Sequence, residues 1–142
     1  MSLATQRVCE ILGLENDPGN DESQRLAAAI EHGLPPHALV RTVARAGLSA
    51  TARDVLLNSI APGVVLHHGS RLTPAQSEWT ERLARVIACA EILWDEMSAA
   101  HAFLIAPHPE LEGRTPLECA ATERRTRQVE EVVHRALYGL PA

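Results

Sequence analysis

The sequence predicts an all-α protein, a helical bundle, and three observations lead to that prediction. Apolar side chains recur every three or four residues through most of the 142-residue chain, which is the period of an amphipathic helix. Threonine–proline start signals and glycine stop signals separate these segments. Aromatic residues make up only 3% of the composition, and the short run 64–66 is the one candidate strand, so the composition does not favour a β-sheet protein.

Two helices are predicted before residue 34. The first begins at Ser2, which can cap it, and carries its apolar residues through Leu12. The second has Asp21 at its N-cap and Gln24 at the position that completes a capping box. Gly33 ends this helix, because glycine readily adopts the conformation that terminates many helices.

Two short helices follow and are joined by the segment 46–49. The dipeptide Pro35–Pro36 starts the first of them, since proline fits the first turn of a helix and not its interior. Ser49 caps the second, which runs through Ile60. Two short helices joined in this way have the outline of a helix-turn-helix.

A long helix is predicted after Thr73, where a threonine, a proline and Gln76 form a capping-box sequence. Apolar residues recur from there to Ile105, so we expect one long helix, straight or bent, over this stretch. Trp79 and Trp94 lie fifteen residues apart, about four turns, and therefore share one face. Either both belong to the core or one of them lies on a dimer face, where tryptophan is enriched.

The chain ends in a short helix and a final amphipathic helix. Thr115 and Pro116 repeat the threonine–proline start signal and open the short helix. The final helix stops at Gly139, and its apolar positions are Val129, Val132, Val133, Ala136, Leu137 and Leu140. We therefore divide the chain into an N-terminal helical region, residues 1–72, and a C-terminal region, residues 73–142.

The charge distribution argues against a protein that works only by binding DNA phosphates. The net charge is −5, and all thirteen basic residues are arginine. Residues 36–75 carry four arginines against Asp54 alone, whereas seven arginines in residues 76–142 face eleven acidic residues. A local basic patch in the N-terminal region is therefore compatible with the sequence, but a basic protein is not.

Signatures of catalysis and of metal binding are missing from the sequence. It contains no glycine-rich phosphate loop, no HExxH motif and no nucleophile elbow. The seven histidines and three cysteines do not have zinc-ligand spacing, and we expect Cys9 and Cys89 to be small core residues. No apolar run of about 18 residues is present. We expect a cytoplasmic protein with no catalytic residue, metal or cofactor.

A pattern between Arg71 and the C-terminus carries a family resemblance. Its most specific part is an LxGxxPL segment, residues 111–117, followed by a Tyr-Gly pair near the end of the chain. The pattern consists of Arg71-Leu72-Thr73, Glu78, Arg82-Leu83-Ala84-Arg85-Val86, Ala88, Ala90, Phe103-Leu104, Pro107, Leu111-Glu112-Gly113-Arg114-Thr115-Pro116-Leu117-Glu118, Thr122-Glu123 and Tyr138-Gly139-Leu140. It resembles the toxin-binding C-terminal domain of the Xre/MbcA/ParS antitoxins, and residues 24–70 resemble the family's Xre-like helix-turn-helix part.

The resemblance implies a bacterial antitoxin of a type II toxin–antitoxin system that is not an enzyme. Such a protein binds and neutralises a RES-domain toxin, an ADP-ribosyltransferase-like protein that uses NAD, and occludes its active site with the C-terminal region. The N-terminal half would form a homodimer and contact operator DNA. The alternative is a DNA-binding transcriptional autorepressor whose main activity resides in the helix-turn-helix.

Candidate toxin-binding residues follow from the resemblance and from the shape of the last helix. An amphipathic helix that ends in an aromatic residue and a Gly-Leu-Pro tail can enter a cleft of another protein. The alternative is a solvated helix face with a frayed tail. The candidates are Arg114, Arg124, Arg127, Glu130, Glu131, His134, Arg135, Tyr138, Gly139 and Leu140.

Departures from the family pattern bear on the DNA-binding prediction. The candidate DNA-binding residues are Arg41, Arg45, Arg53 and Arg71. His67 and His68 stand where the family carries arginines, and histidine is mostly uncharged at pH 7. Since each cation lost from a phosphate contact lowers affinity, we expect weak or partner-dependent DNA binding. Phe103 replaces a tryptophan and keeps the ring, and Arg125 replaces a glycine, which predicts a continuous helix there.

Overall fold

The computed structural model describes residues 2–14, 21–62 and 70–139, and all regular structure in these ranges is helical. A 3₁₀ turn, Pro109–Leu111, lies between the sixth and seventh α-helices. The α-helices are α1 (Ser2–Leu12), α2 (Glu22–His32), α3 (Pro36–Arg45), α4 (Ala50–Ile60), α5 (Pro74–Leu93), α6 (Met97–Ile105), α7 (Pro116–Cys119) and α8 (Glu123–Tyr138). The all-α prediction is confirmed, and the candidate strand at 64–66 lies outside the described residues.

The central helix is α5, which packs against α1, α2, α3, α6, α7 and α8. Small residues on its buried faces, among them Ala84, Ala88 and Ala90, let neighbouring helices approach closely. One contiguous cluster of buried side chains extends from Val8 in α1 to Val133 in α8. A core of Leu, Ile, Val and Ala therefore forms without a buried aromatic ring at its centre.

Local capping chemistry fixes where several helices begin, as the sequence predicts. The hydroxyl of Ser49 accepts a hydrogen bond from the Ala52 N–H, and capping boxes form at Thr73 and Thr115. The box predicted at Asp21 is wrong. Asp21 occupies the N-cap of α2, but its side chain makes no capping hydrogen bond, and the residue is exposed, so water can solvate the carboxylate instead.

The long helix predicted from residue 74 to residue 105 is interrupted, so that prediction is wrong. Trp94 adopts an extended conformation (φ −116°, ψ 121°) and ends α5. The break lets α6 fold back onto α5 and bury Ala100 and Leu104. Trp79 packs against the core, whereas Trp94 is 42% exposed, so the two tryptophans do not both belong to the core.

The connection between α3 and α4 touches the C-terminal region. Gly47 in this connection lies against the ring of His101 in α6, and His101 Nε2 lies 3.2 Å from the carbonyl oxygen of Arg45. Beyond the connection, α4 is largely exposed, and Val55 is 62% exposed. Its buried anchor is Ile60, at the end of the helix.

Candidate functional site

Most of the predicted toxin-binding residues lie on α8. The part of this helix that is buried against the core, around Thr126, Val129 and Val133, is called the base of α8. The helix begins after Thr122, whose hydroxyl accepts a hydrogen bond from the N–H of Arg125 at 3.2 Å. It continues through Arg125 without a turn, as predicted. Thr126, Val129 and Val133 face the core and are almost fully buried, so α8 packs firmly on α5. This packing determines which of its side chains can face outward.

The LxGxxPL segment forms a tight turn that connects α6 to α7. Leu111 is buried, and Gly113 follows in the left-handed region (φ 78°), which glycine adopts without strain. The N–H of His108 donates to the carbonyl oxygen of Arg114 at 3.1 Å and closes the turn. Thr115 then caps α7, which buries the leucine at the end of the motif. The motif is therefore explained by packing and turn geometry.

Three of the predicted toxin-binding arginines lie in ion pairs at the protein's own surface. Such pairs contribute about 0–1 kcal/mol each, because water screens them, so a binding partner can replace them at low cost. The fourth predicted arginine, Arg124, is exposed on α8. The pairs and their N–O distances are Arg114–Glu112 (2.8 Å), Arg127–Glu123 (3.0 Å) and Arg135–Glu131 (3.3 Å), and Arg135 also pairs with Glu110.

Glu130 lies in a cluster at the joint between α5 and α8. Its Oε1 atom is 3.7 Å from Nη2 of Arg85, which also donates to Oε2 of Glu123 at 2.8 Å. Nε of the same arginine lies 3.5 Å from Oε2 of Glu81. One arginine thus faces three carboxylates, and Glu130 is turned toward this cluster.

The buried carboxyl of Glu81 is a feature that the sequence analysis missed. Burial, together with the nearby charges of Glu123 and Glu130, raises its pKa to about 7 against the opposing effect of Arg85. Burial also raises the pKa of the neighbouring Cys89 thiol to about 12. Glu81 follows Ser77 by one turn on the buried face of α5, and that spacing is the signal in the sequence.

The last turn of α8 extends beyond the core. Leu137 follows Val133 by one turn on the same face, yet it is 45% exposed. Tyr138 is 68% exposed, and its ring lies 4.6 Å from the ring of His134, centroid to centroid. Gly139 ends the helix in the left-handed conformation, and Leu140 lies outside the described residues. We call Leu137, Tyr138 and Gly139 the tip of α8.

Two of the four predicted DNA-binding arginines make contacts within the protein. Arg45 forms an ion pair with Glu91, and Nη1 of Arg71 donates to the carbonyl oxygen of Gly33 at 2.9 Å. Arg41 is exposed, with its guanidinium group close to Gly13, and Arg53 is exposed on α4. The histidines at 67 and 68 lie outside the described residues.

Within the described ranges, no group of three His, Cys, Asp or Glu side chains is arranged to hold a metal ion. All three cysteines are free thiols and are buried, as predicted for Cys9 and Cys89. No helix in this part of the chain is long and apolar enough to cross a lipid bilayer.

Comparison with known proteins places the tip and the LxGxxPL turn in one recognised domain. No curated protein matches the chain. The family model for the antitoxin Xre/MbcA/ParS C-terminal toxin-binding domain matches residues 89–139, from the second half of α5 to the cap of α8. Residues 89–139 are therefore a toxin-binding domain of the kind found at the C-terminus of the Xre/MbcA/ParS antitoxins.

Proposed function

We propose that this protein neutralises a RES-domain toxin by inserting the tip of α8 and the following residues into the toxin's NAD-binding cleft. The matched domain supports a toxin as the partner. The RES class and the use of NAD rest on the family resemblance. The observation that carries the proposal is the exposure of Leu137 and Tyr138 at the end of a firmly packed helix.

The base of α8 makes the tip suitable for insertion into a cleft. Val129 and Val133 hold the helix against the core, so its last turn is already helical before a partner binds. A preorganised segment loses less conformational entropy on binding than a disordered one. Tyrosine adds a large contact area with few rotatable bonds.

The charges next to the tip are compatible with a nucleotide-binding cleft. A site that holds the pyrophosphate of NAD offers cationic groups or helix N-termini. Glu131 is exposed and pairs with Arg135 in a surface contact, so it can turn toward such groups. The protein then acts by occupying the cleft and contributes no catalytic step of its own.

Co-expression with the product of the neighbouring open reading frame tests this proposal. We expect the wild-type protein to restore growth and Leu137→Asp or Tyr138→Ala to lose protection, because both change the inserted surface. Val55→Asp, an exposed apolar position on α4, is the matched control and should protect fully. Deletion of residues 129–142 is a poorer test, because it also removes Val129 and Val133 from the core.

If the tip variants protect as well as the wild type does, occlusion by the tip is wrong. Purified variants should keep the helical circular dichroism spectrum of the wild type, since these side chains lie outside the core. This control separates loss of binding from loss of folding.

A DNA-binding autorepressor is the second candidate, favoured by the α3–α4 pair and by Arg53 on the exposed face of α4. We propose weak or toxin-dependent binding to operator DNA, and a homodimer formed through the N-terminal half. Retardation of promoter DNA at physiological salt, abolished by Arg53→Ala and unaffected by Arg125→Ala, would support repression. Light scattering of the protein alone measures the oligomeric state.

A further inference from the structure

An apolar groove with a volume of about 480 Å³ lies between the end of α5, α6 and α8. Its apolar wall is formed by Leu93, Trp94, Phe103, Val132 and Ala136. The groove exists because α5 stops at Trp94 and α6 turns back, which leaves the indole ring at the edge of the fold. Its size is in the range of pockets that take up a ligand or a large side chain.

The polar residues that line the groove pair with one another. Arg135 forms an ion pair with Glu110, and the N–H of Glu110 donates to Nδ1 of His108 at 3.1 Å. These polar groups are already paired with one another, and the other residues that line the groove are apolar. The groove therefore favours an uncharged, apolar occupant.

Two of the chain's four Trp, Tyr and Phe residues line this groove. Trp94 is 42% exposed, and covering that surface would be favourable. Tryptophan in a well-formed pocket is typical of the residues that contribute most to protein–protein affinity. Among the residues that the structure describes, this arrangement is typical of a protein–protein interface.

All residues that line the groove fall within 89–139, the range that matches a toxin-binding domain, and this location favours a toxin as the occupant. We propose that the groove is an anchor pocket for one large apolar side chain of the toxin, such as leucine, methionine or phenylalanine. The inference rests on the proposed function in that its partner is the toxin. It adds a second contact, distinct from the tip.

The groove and the tip lie on different sides of α8. Successive residues of a helix are rotated by about 100°, so Val132 and Ala136 point about 100° or more away from Leu137 and Tyr138. The toxin would thus contact the tip with its cleft and the groove with a neighbouring surface element. Substitutions can therefore separate the two contacts.

Calorimetric titration of the full-length protein with the purified product of the neighbouring open reading frame tests the pocket. Ala136→Trp fills the groove from an exposed position, and Trp94→Ala removes its aromatic wall. We expect each change to raise the Kd at least about tenfold. Ala52→Trp on the exposed face of α4 is the matched control and should bind as the wild type does.

A Kd for Ala136→Trp within about twofold of the wild-type value would overturn the pocket, as would equal losses in Ala136→Trp and Ala52→Trp. If Tyr138→Ala weakens binding while the groove variants do not, the pocket is wrong and the tip mechanism stands. If only the groove variants weaken binding, the pocket stands and the tip mechanism is wrong. A change of oligomeric state in Ala136→Trp with unchanged toxin binding would assign the groove to a second copy and contradict the proposal.

Discussion

Arg45 and Glu91 form a bidentate ion pair that joins α3 to α5, with Nε–Oε2 and Nη2–Oε1 distances of 2.7 Å. Arg7 of α1 donates to the same carboxylate at 3.0 Å. Burial alone would raise the pKa of Glu91, but the hydrogen bonds from Arg45 and Arg7 hold it below its usual value. The pair fastens the N-terminal helices to the toxin-binding domain, to which Glu91 belongs.

We predict that Glu91→Ala lowers the free energy of unfolding by about 2 kcal/mol or more, because it leaves two partly buried arginines without their carboxylate. Glu91 has a side chain only 7% exposed, whereas Glu78 on the same helix is exposed. Urea unfolding measures the effect, and Glu78→Ala should change stability by less than about 0.5 kcal/mol. Equal losses in the two variants would contradict this assignment.

We predict that Gly47→Ala is destabilising for two separable reasons. Gly47 has φ 73°, and a Cβ there would lie 2.3 Å from Nδ1 of His101. The clash adds to a conformational cost of about 1–2 kcal/mol for a non-glycine residue. Gly113→Ala is the control, because it has φ 78° but no heavy atom within 4 Å of the added Cβ, and it should cost only the conformational part.

A double-mutant cycle with His101→Ala tests the clash directly. The two changes should cost less together than the sum of their separate effects, since removing the ring relieves the contact. Thermal unfolding in the same buffer gives the four values. Strict additivity would mean that Gly47 and His101 are not in contact.

We predict that Thr115→Ala destabilises the toxin-binding domain by about 1 kcal/mol, because it removes the hydroxyl that accepts a hydrogen bond from the N–H of Glu118 in the α7 capping box. Asp21→Ala is the comparison at a position that looks like a cap in the sequence but makes no capping hydrogen bond. Asp21→Ala should lower the free energy of unfolding by less than half as much as Thr115→Ala does. A larger loss for Asp21→Ala in urea unfolding would show that the cap of α2 forms in solution.

We predict that Glu81 makes the protein less stable as the pH rises from about 4.5 to about 7. Its pKa is about 7 in the folded protein and 4.5 in its ordinary state, so the folded state keeps a proton that the unfolded chain has lost. The contribution of protonated Glu81 to the free energy of unfolding is fully present below about pH 4.5. It is lost as the pH rises to about 7. Glu81→Gln should be more stable than the wild type at pH 8, by on the order of 2 kcal/mol.

The stability difference between Glu81→Gln and the wild type should shrink as the pH falls toward 5. Glu78→Gln, an exposed change one turn earlier on α5, should follow the wild-type profile at every pH. Denaturant unfolding at a series of pH values gives both profiles. If the profiles of wild type and Glu81→Gln stay parallel, Glu81 does not titrate in this range.

The sequence was sufficient for features that depend on local chemistry. The capping box at Thr73 and the helix start at Thr115 form as predicted, because a cap involves only residues three apart. The same local pattern at Asp21 fails, since an exposed carboxylate has water as an alternative partner. The periodicity of α8 predicted its buried face correctly at Val129, Val132 and Val133, whereas Ala136 and Leu137, which continue the same pattern, are exposed.

Features that depend on tertiary packing could not be predicted from the sequence. The break at Trp94 is stabilised by the packing of α6 on α5, and the residues around it continue a helical pattern. The pairing of Arg45 with Glu91 joins residues 46 positions apart. The groove likewise requires three elements to meet, so no single segment indicates it.

The most direct test is the NAD consumption of the purified neighbouring gene product, measured with increasing amounts of this protein. We predict that the wild type abolishes consumption at stoichiometric amounts, that added NAD competes with it, and that Tyr138→Ala inhibits far less. A stable complex that still consumes NAD at the rate of the toxin alone would contradict occlusion of the cleft by the tip of α8.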